Sequence, residues 1–170
     1  RMRGDRPGAW EPLPAPADLA MVVAIVDSGE KQVSSREAMR RTAATSPFYP
    51  AWITSTAETL EEARRACLDG DVARLGALTE NNALRMHAVI QASAPSIRYL
   101  SPTSIALFDR VAALRDAGLE SYATADAGPN VVALCRAADA EAVAGELGAL
   151  AETVVALPGP GLVVGGRSVE

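Results

Sequence analysis

Residues 121–135 read Ser121-Tyr122-Ala123-Thr124-Ala125-Asp126-Ala127-Gly128-Pro129-Asn130-Val131-Val132-Ala133-Leu134-Cys135. Two short apolar, β-prone runs, 121–125 and 131–135, flank a loop whose glycine and proline impose a special backbone. The stretch predicts a hairpin with Asp126 lifted to the end of a sheet. Downstream, a helical pattern from about Ala138 to Leu150 precedes a strand from Thr153 to Leu157. Pro158-Gly159-Pro160-Gly161 then reads as a turn-rich loop. Upstream, Leu19 to Val26 (LAMVVAIV) is a continuous β-prone run that stops at Asp27-Ser28-Gly29. That is the pattern of a central strand covered on both faces, or on one face and an edge.

Four helices are predicted between the first strand and the hairpin. Ser34 stands three residues before Glu37, a capping-box spacing that opens a helix through about Thr45. Pro47 and Pro50 interrupt the chain, and a second helix carries Leu60, Ala63, Cys67 and Leu68 on one face before Gly70. Asp71 caps a third, with Val72, Leu75, Leu78, Met86, Val89 and Ile90 inward and Pro95 beyond its end. Ser101-Pro102 starts a fourth, striped by Ile105, Phe108, Val111, Ala112 and Leu114 and closed by Gly118. The order strand, helices, strand, strand, helix, strand predicts an α+β domain. It is a ferredoxin-like split βαβ sandwich with an enlarged helical first crossover. One face of such a sheet stays open unless these helices or another domain cover it.

Composition narrows the function classes. The 170 residues suffice for one compact domain, and 49% hydrophobic, 22% charged and 4% aromatic residues fit an aliphatic core rather than a disordered tail. A net charge of −5 argues against a nucleic-acid partner. The run at Leu19 is far too short to cross a bilayer, so no membrane partner is expected. Cys67 and Cys135, far apart and without Cys-x-x-Cys spacing, suit a reducing, cytoplasmic setting and read as core filling. With one histidine, His87, a Ser-His-Asp triad remains conceivable but a multi-histidine metal site does not. Set between Met86 and Val89, His87 reads as a buried, satisfied structural side chain. Residues 1–17, with glycine, proline and scattered charge, read as an irregular lead-in, and 18–170 as the domain. Lacking an initiator methionine or a leader pattern, the chain reads as a piece of something longer.

Two segments carry candidate chemistry. Glu30-Lys31-Gln32-Val33-Ser34-Ser35-Arg36 precedes and opens the first helix, where unpaired N–H groups and partial positive charge attract anions. From Glu30 to Arg41 the charge is +2, with Lys31, Arg36, Arg40 and Arg41 against Glu30 and Glu37. Arg36 in a first turn opposes the helix dipole unless a phosphate lies between them. An ordinary capped surface helix explains the same residues and, taken alone, is the simpler account. Lys31 is the sole lysine among sixteen basic residues. At the second segment, Asp126 is placed to orient a hydroxyl or accept its proton. An aspartate bonding within its own turn is again the simpler account of that loop alone. No Walker loop and no Gly-x-Gly-x-x-Gly occurs.

Together these blocks resemble a known family. Glu30 to Met39 (EKQVSSREAM), Thr45 to Tyr49 (TSPFY), Asn82 to Ala88 (NALRMHA), Ser93 to Tyr99 (SAPSIRY) and Tyr122 to Asn130 (YATADAGPN) are similar to diphosphomevalonate decarboxylases, in that family's order. The resemblance runs from about Leu19 to Gly161 and covers only the family's carboxyl-terminal domain. It implies the GHMP small-molecule kinase fold group, with a domain for residues 18–170 and a lead-in from a missing amino-terminal domain. It implies use of ATP and Mg2+ to phosphorylate the tertiary hydroxyl of diphosphomevalonate. Loss of phosphate and CO2 then gives isopentenyl diphosphate.

On that resemblance Asp126 corresponds to the catalytic aspartate and Lys31 to a lysine near the reacting centre. Ser34, Ser35 and Arg36 correspond to the grip on the diphosphate, and a homodimer is a further expectation. Ala125 and Arg85 depart from the family pattern. The family's Gly/Ser-rich ATP loop and carboxylate-binding arginine are not in these residues, so ATP and Mg2+ are expected mainly from the absent half. A related enzyme acting on mevalonate or phosphomevalonate, and a non-catalytic anion- or partner-binding domain, remain alternatives.

Overall fold

The computed structural model describes residues 18–29 and 33–159, positions 13 and 16, and the pairs 163–164 and 167–168. In chain order the elements are β1 (Leu19–Ile25), α1 (Ser35–Thr45), α2 (Tyr49–Asp69), α3 (Val72–Gln91), α4 (Pro102–Asp116), β2 (Ser121–Thr124), β3 (Val131–Arg136), α5 (Ala140–Leu147) and β4 (Glu152–Ala156). A short ribbon, β5 (Val163–Val164) with β6 (Arg167–Ser168), follows. It lies in the tail, where neither apolar period nor length signals a strand.

The four-stranded sheet has the order β2-β3-β1-β4, and every neighbouring pair is antiparallel. Strands β1 and β2 therefore run parallel with β3 between them, which is the split βαβ arrangement expected of an α+β domain. The enlarged first crossover is α1 to α4. Register places Val22 opposite Ala133 and Val155, and Val23 opposite Val132 and Val154.

Period-two alternation turns Ala20, Val22 and Ala24 of β1, with Val131, Ala133 and Cys135 of β3, into the main core. Those small side chains let α4 and α5 approach closely through Leu107, Val111, Val143 and Leu147, all fully buried. Each such valine or leucine contributes about 1.5–3 kcal/mol of apolar burial. The opposite sheet face is covered by α3 only at the β2 end. There Gly76 lies against the Tyr122 ring so closely that a Cβ would come within 2.0 Å of it. Arg115 on α4 donates to both Glu80 carboxylate oxygens, at 3.2 and 3.1 Å, and to the Ser121 carbonyl at 2.7 Å. Its guanidinium also lies 4.9 Å from the Tyr122 ring centre. Glu80 in turn accepts from the Ala123 N–H at 2.8 Å, so edge strand β2 is clamped to two helices. Toward β4 the face is open, leaving Met21 52% exposed.

Three expectations are corrected. Leu60 and Leu68 on α2 are exposed, and the buried side chain of this helix is the small Ala66. Ile105 on α4 is exposed as well. The inward position in that turn goes to Ser104, whose hydroxyl finds partners there, while Phe108, Val111 and Leu114 are buried as expected. Helix α5 ends at Leu147, three residues early, at Gly148, a weak helix former. The positive-φ Gly70 and Gly118, at 67° and 96°, close α2 and follow α4 as expected. Among the described residues no helix is long and apolar enough to cross a membrane. The lead-in of residues 1–17 lies mostly outside the described residues, as do Pro160 and Gly161.

Candidate active site

The loop between β2 and β3 is held from several elements. Inside it, the Gly128 N–H donates to the Asp126 carbonyl at 2.8 Å, a tight two-residue closure. Asn130 turns its Oδ1 toward the end of β1 and accepts from the Val26 and Asp27 N–H groups at 2.8 and 3.0 Å. The start of α4 supplies another tie. Its capping box has Ser101 Oγ accepting from the Ser104 N–H at 3.1 Å and Ser104 Oγ accepting from the Ser101 N–H at 3.0 Å. Ser104 Oγ also lies 2.5 Å from the Pro129 carbonyl and donates to it. From α3, His87 places Nε2 3.3 Å from the Ala125 carbonyl. Burial pushes the His87 pKa below its ordinary value, against the raising effects of the Ala125 carbonyl and the Asp126 charge.

This scaffold leaves the Asp126 side chain exposed at the mouth of a groove of ≈ 560 Å³. The groove is mainly apolar, with Val23, Ala83, Met86 and Val132 in its walls and Asn130 beside Asp126. It runs along the sheet face that α3 leaves open.

The second segment begins where α1 begins. Ser34 is the N-cap, with extended φ −65° and ψ 151°, and its Oγ accepts from the Glu37 N–H at 3.2 Å. The Glu37 carboxylate accepts from Arg41 at 3.4 Å, one turn along the helix. Capping uses the Ser34 oxygen as acceptor and leaves its O–H available to donate. Ser35 and Arg36 are exposed in the first turn. Lys31 lies outside the described residues.

Two side chains connect the segments. Tyr99 donates its hydroxyl to the Val33 carbonyl at 2.9 Å, with the Ser34 carbonyl at 3.4 Å, fixing the approach to α1. Burial raises the Tyr99 pKa; Arg41 opposes that rise, and the Asp126 charge adds to it, so the phenol is within electrostatic reach of both segments. Met86 packs with Tyr99, Ala38, Ile90 and Ile97 behind α1, and also lines the groove at Asp126. Asp126 and the start of α1 therefore lie about the same α3–Tyr99 wall. Ser34, Ser35 and Arg36 are not among the groove's lining residues.

Sequence patterns give no sign of Tyr99 as a link or of Ser104 as a brace. Only Tyr99 falls within one of the longer blocks, and both roles depend on contacts distant in the chain. Cys135 is buried, and that burial, with a smaller effect from Asp139, pushes its thiol up to about 11, so it is inert packing. Among the described residues no group of three or more His, Cys, Asp or Glu is placed to hold a metal ion. Among the described residues the donor set does not fit a Mg2+ site of its own.

Such an arrangement defines a split-βαβ domain that carries a loop carboxylate at the end where parallel β1 and β2 finish. The family model described as the mevalonate 5-diphosphate decarboxylase C-terminal domain matches residues 21–155, and the chain belongs to that family. It is 31% identical over 122 residues to the diphosphomevalonate decarboxylase of Candida albicans, covering 71% of this chain and 34% of that protein. The crystal structure of mevalonate diphosphate decarboxylase from Staphylococcus aureus matches 81% of this chain and 43% of its own, at 36% identity and TM-score 0.77. A structure of MDDEF in complex with MVAPP, AMPPCP and magnesium matches 88% of this chain and 48% of its own, at 36% identity and TM-score 0.83. The chain thus spans about a third of the curated relative and less than half of these solved structures.

Proposed function

We propose that this chain is the diphosphate-binding and aspartate-bearing half of an ATP-dependent decarboxylase that turns diphosphomevalonate into isopentenyl diphosphate, ADP, phosphate and CO2. The observation that carries this reading is the position of Asp126. Its side chain is exposed while its loop is braced from β1, α3 and α4. A carboxylate held in that way orients the substrate's tertiary hydroxyl and accepts its proton as the oxygen is phosphorylated. Ser34 and Ser35 hydroxyls and the Arg36 fork hold the diphosphate at the start of α1, where the helix dipole favours negative charge. The ammonium of Lys31 keeps the aspartate ionised and stabilises departing phosphate.

ATP supplies the phosphoryl group and Mg2+ offsets its charge; both are held mainly by residues outside this chain. Relatives support that division, since MDDEF is seen with MVAPP, AMPPCP and magnesium while this chain covers 48% of that structure. Two free cysteines fit a cytoplasmic setting, and a homodimer is the proposed assembly.

The test joins this chain to an ATP-binding half and measures phosphate release and isopentenyl diphosphate formation. The joined enzyme turns over diphosphomevalonate faster than mevalonate or phosphomevalonate, and Asp126→Asn lowers kcat by about a thousandfold or more. Near-normal turnover by that variant would refute the role given to Asp126.

A further inference from the structure

The hairpin tip is braced unevenly. Asn130 and Ser104 hold its far end, at residues 129 and 130. His87 acts on its near end, at the peptide joining Ala125 to Asp126. We infer that His87 is a positioning residue for Asp126: its Nε2–H, presented from α3, fixes the Ala125 carbonyl and thereby the backbone from which the carboxylate projects.

The chemistry of the pair assigns the proton. A carbonyl oxygen only accepts, so at 3.3 Å the hydrogen sits on Nε2 and the ring is the Nε2–H tautomer. The imidazole is 2% exposed, so neither water nor a ligand in the groove reaches it, and it takes no direct part in chemistry. Its helix is well anchored. Met86 beside it packs behind α1, and Ala83 one turn away is buried at the groove wall. Turning the Ala125–Asp126 peptide swings the Asp126 Cα–Cβ bond, and a displacement of about 1 Å at a reacting group costs about a hundredfold in rate. A buried donor on a rigid helix suppresses that rotation.

This inference rests on Asp126 being the working carboxylate, so its test has one arm independent of turnover. In the joined enzyme, His87→Gln places an amide N–H where Nε2 was and keeps kcat within about threefold of wild type. His87→Leu removes the donor and lowers kcat about ten- to a hundredfold, with KM for diphosphomevalonate within about twofold. A folded His87→Leu enzyme with wild-type kcat, or a loss confined to KM, overturns the inference. So does a His87→Gln enzyme as impaired as His87→Leu. Should His87→Leu fail to fold, the decision passes to His87→Gln and to imidazole 15N shifts of the unsubstituted chain at pH 7.5. An Nε2–H neutral ring is the expected spectrum, and an Nδ1–H ring overturns the inference. If the wild-type joined enzyme turns over nothing, the reading of Asp126 fails and the catalytic consequence falls with it. The 15N spectrum still reports whether the hydrogen bond exists.

Discussion

His87 offers a clean titration because it is the chain's single histidine. Its native pKa lies below the ordinary 6.5, chiefly because burial disfavours the imidazolium. The unfolded chain therefore takes up the proton first as pH falls, and stability rises with pH across that interval. The contribution is complete above about 6.5 and is lost as pH falls from there through the lowered native value. Urea midpoints at pH 7.5 and 5.5 should show the wild-type chain losing stability on acidification, and His87→Gln losing measurably less. Equal losses in the two proteins would place the titration elsewhere. At this scale Asp126, Ser34, Ser35 and Arg36 are legible in the sequence as candidates, since a loop carboxylate and a capped, cationic helix start are local patterns. Tyr99 is not, because its meaning arises only when the Val33 carbonyl, distant in the chain, comes beside it.

At the scale of elements, strands and caps follow from local chemistry. β1 shows period-two burial, Ser34 and Asp71 accept from the N–H groups three residues on, and the Ser101–Ser104 box opens α4. Which face of a helix turns inward is less legible. The α2 leucines satisfy a 3.6-residue period, yet Ala66 is buried while Leu60 and Leu68 are exposed, and the period cannot say which arc the partner covers. Ser104 displaces Ile105 because its partner carbonyl belongs to Pro129, 25 residues away. The join between β1 and the hairpin tip yields a prediction at this scale. Asn130→Ala removes the acceptor for the Val26 and Asp27 N–H groups and should destabilise the chain by about 1–2 kcal/mol. Amide hydrogen exchange at Val26 and Asp27 should accelerate beyond the general loss, whereas unchanged protection there would mean that Asn130 is not the tie.

At the scale of the whole molecule, the sheet has two unlike faces. One buries an aliphatic core against α4 and α5; the other is covered by α3 at β2 and open toward β4. Asp126 stands where the open groove meets the wall formed by α3 and Tyr99. The topology was readable from the order of elements alone, because a split βαβ connection admits few arrangements. The placing of the two candidate segments about a common wall was not, since it depends on how α1 seats against Ile90, Ile97 and Tyr99. On the proposed function this chain alone turns over nothing, its phosphate-donating half lying in other residues. The most direct measurement is a crystal structure of the joined enzyme with diphosphomevalonate bound. The account predicts the diphosphate within hydrogen-bonding distance of Ser34, Ser35 and Arg36, and the tertiary hydroxyl about 3 Å from the Asp126 carboxylate. A substrate whose diphosphate lies away from α1, or whose hydroxyl points away from Asp126, would contradict it.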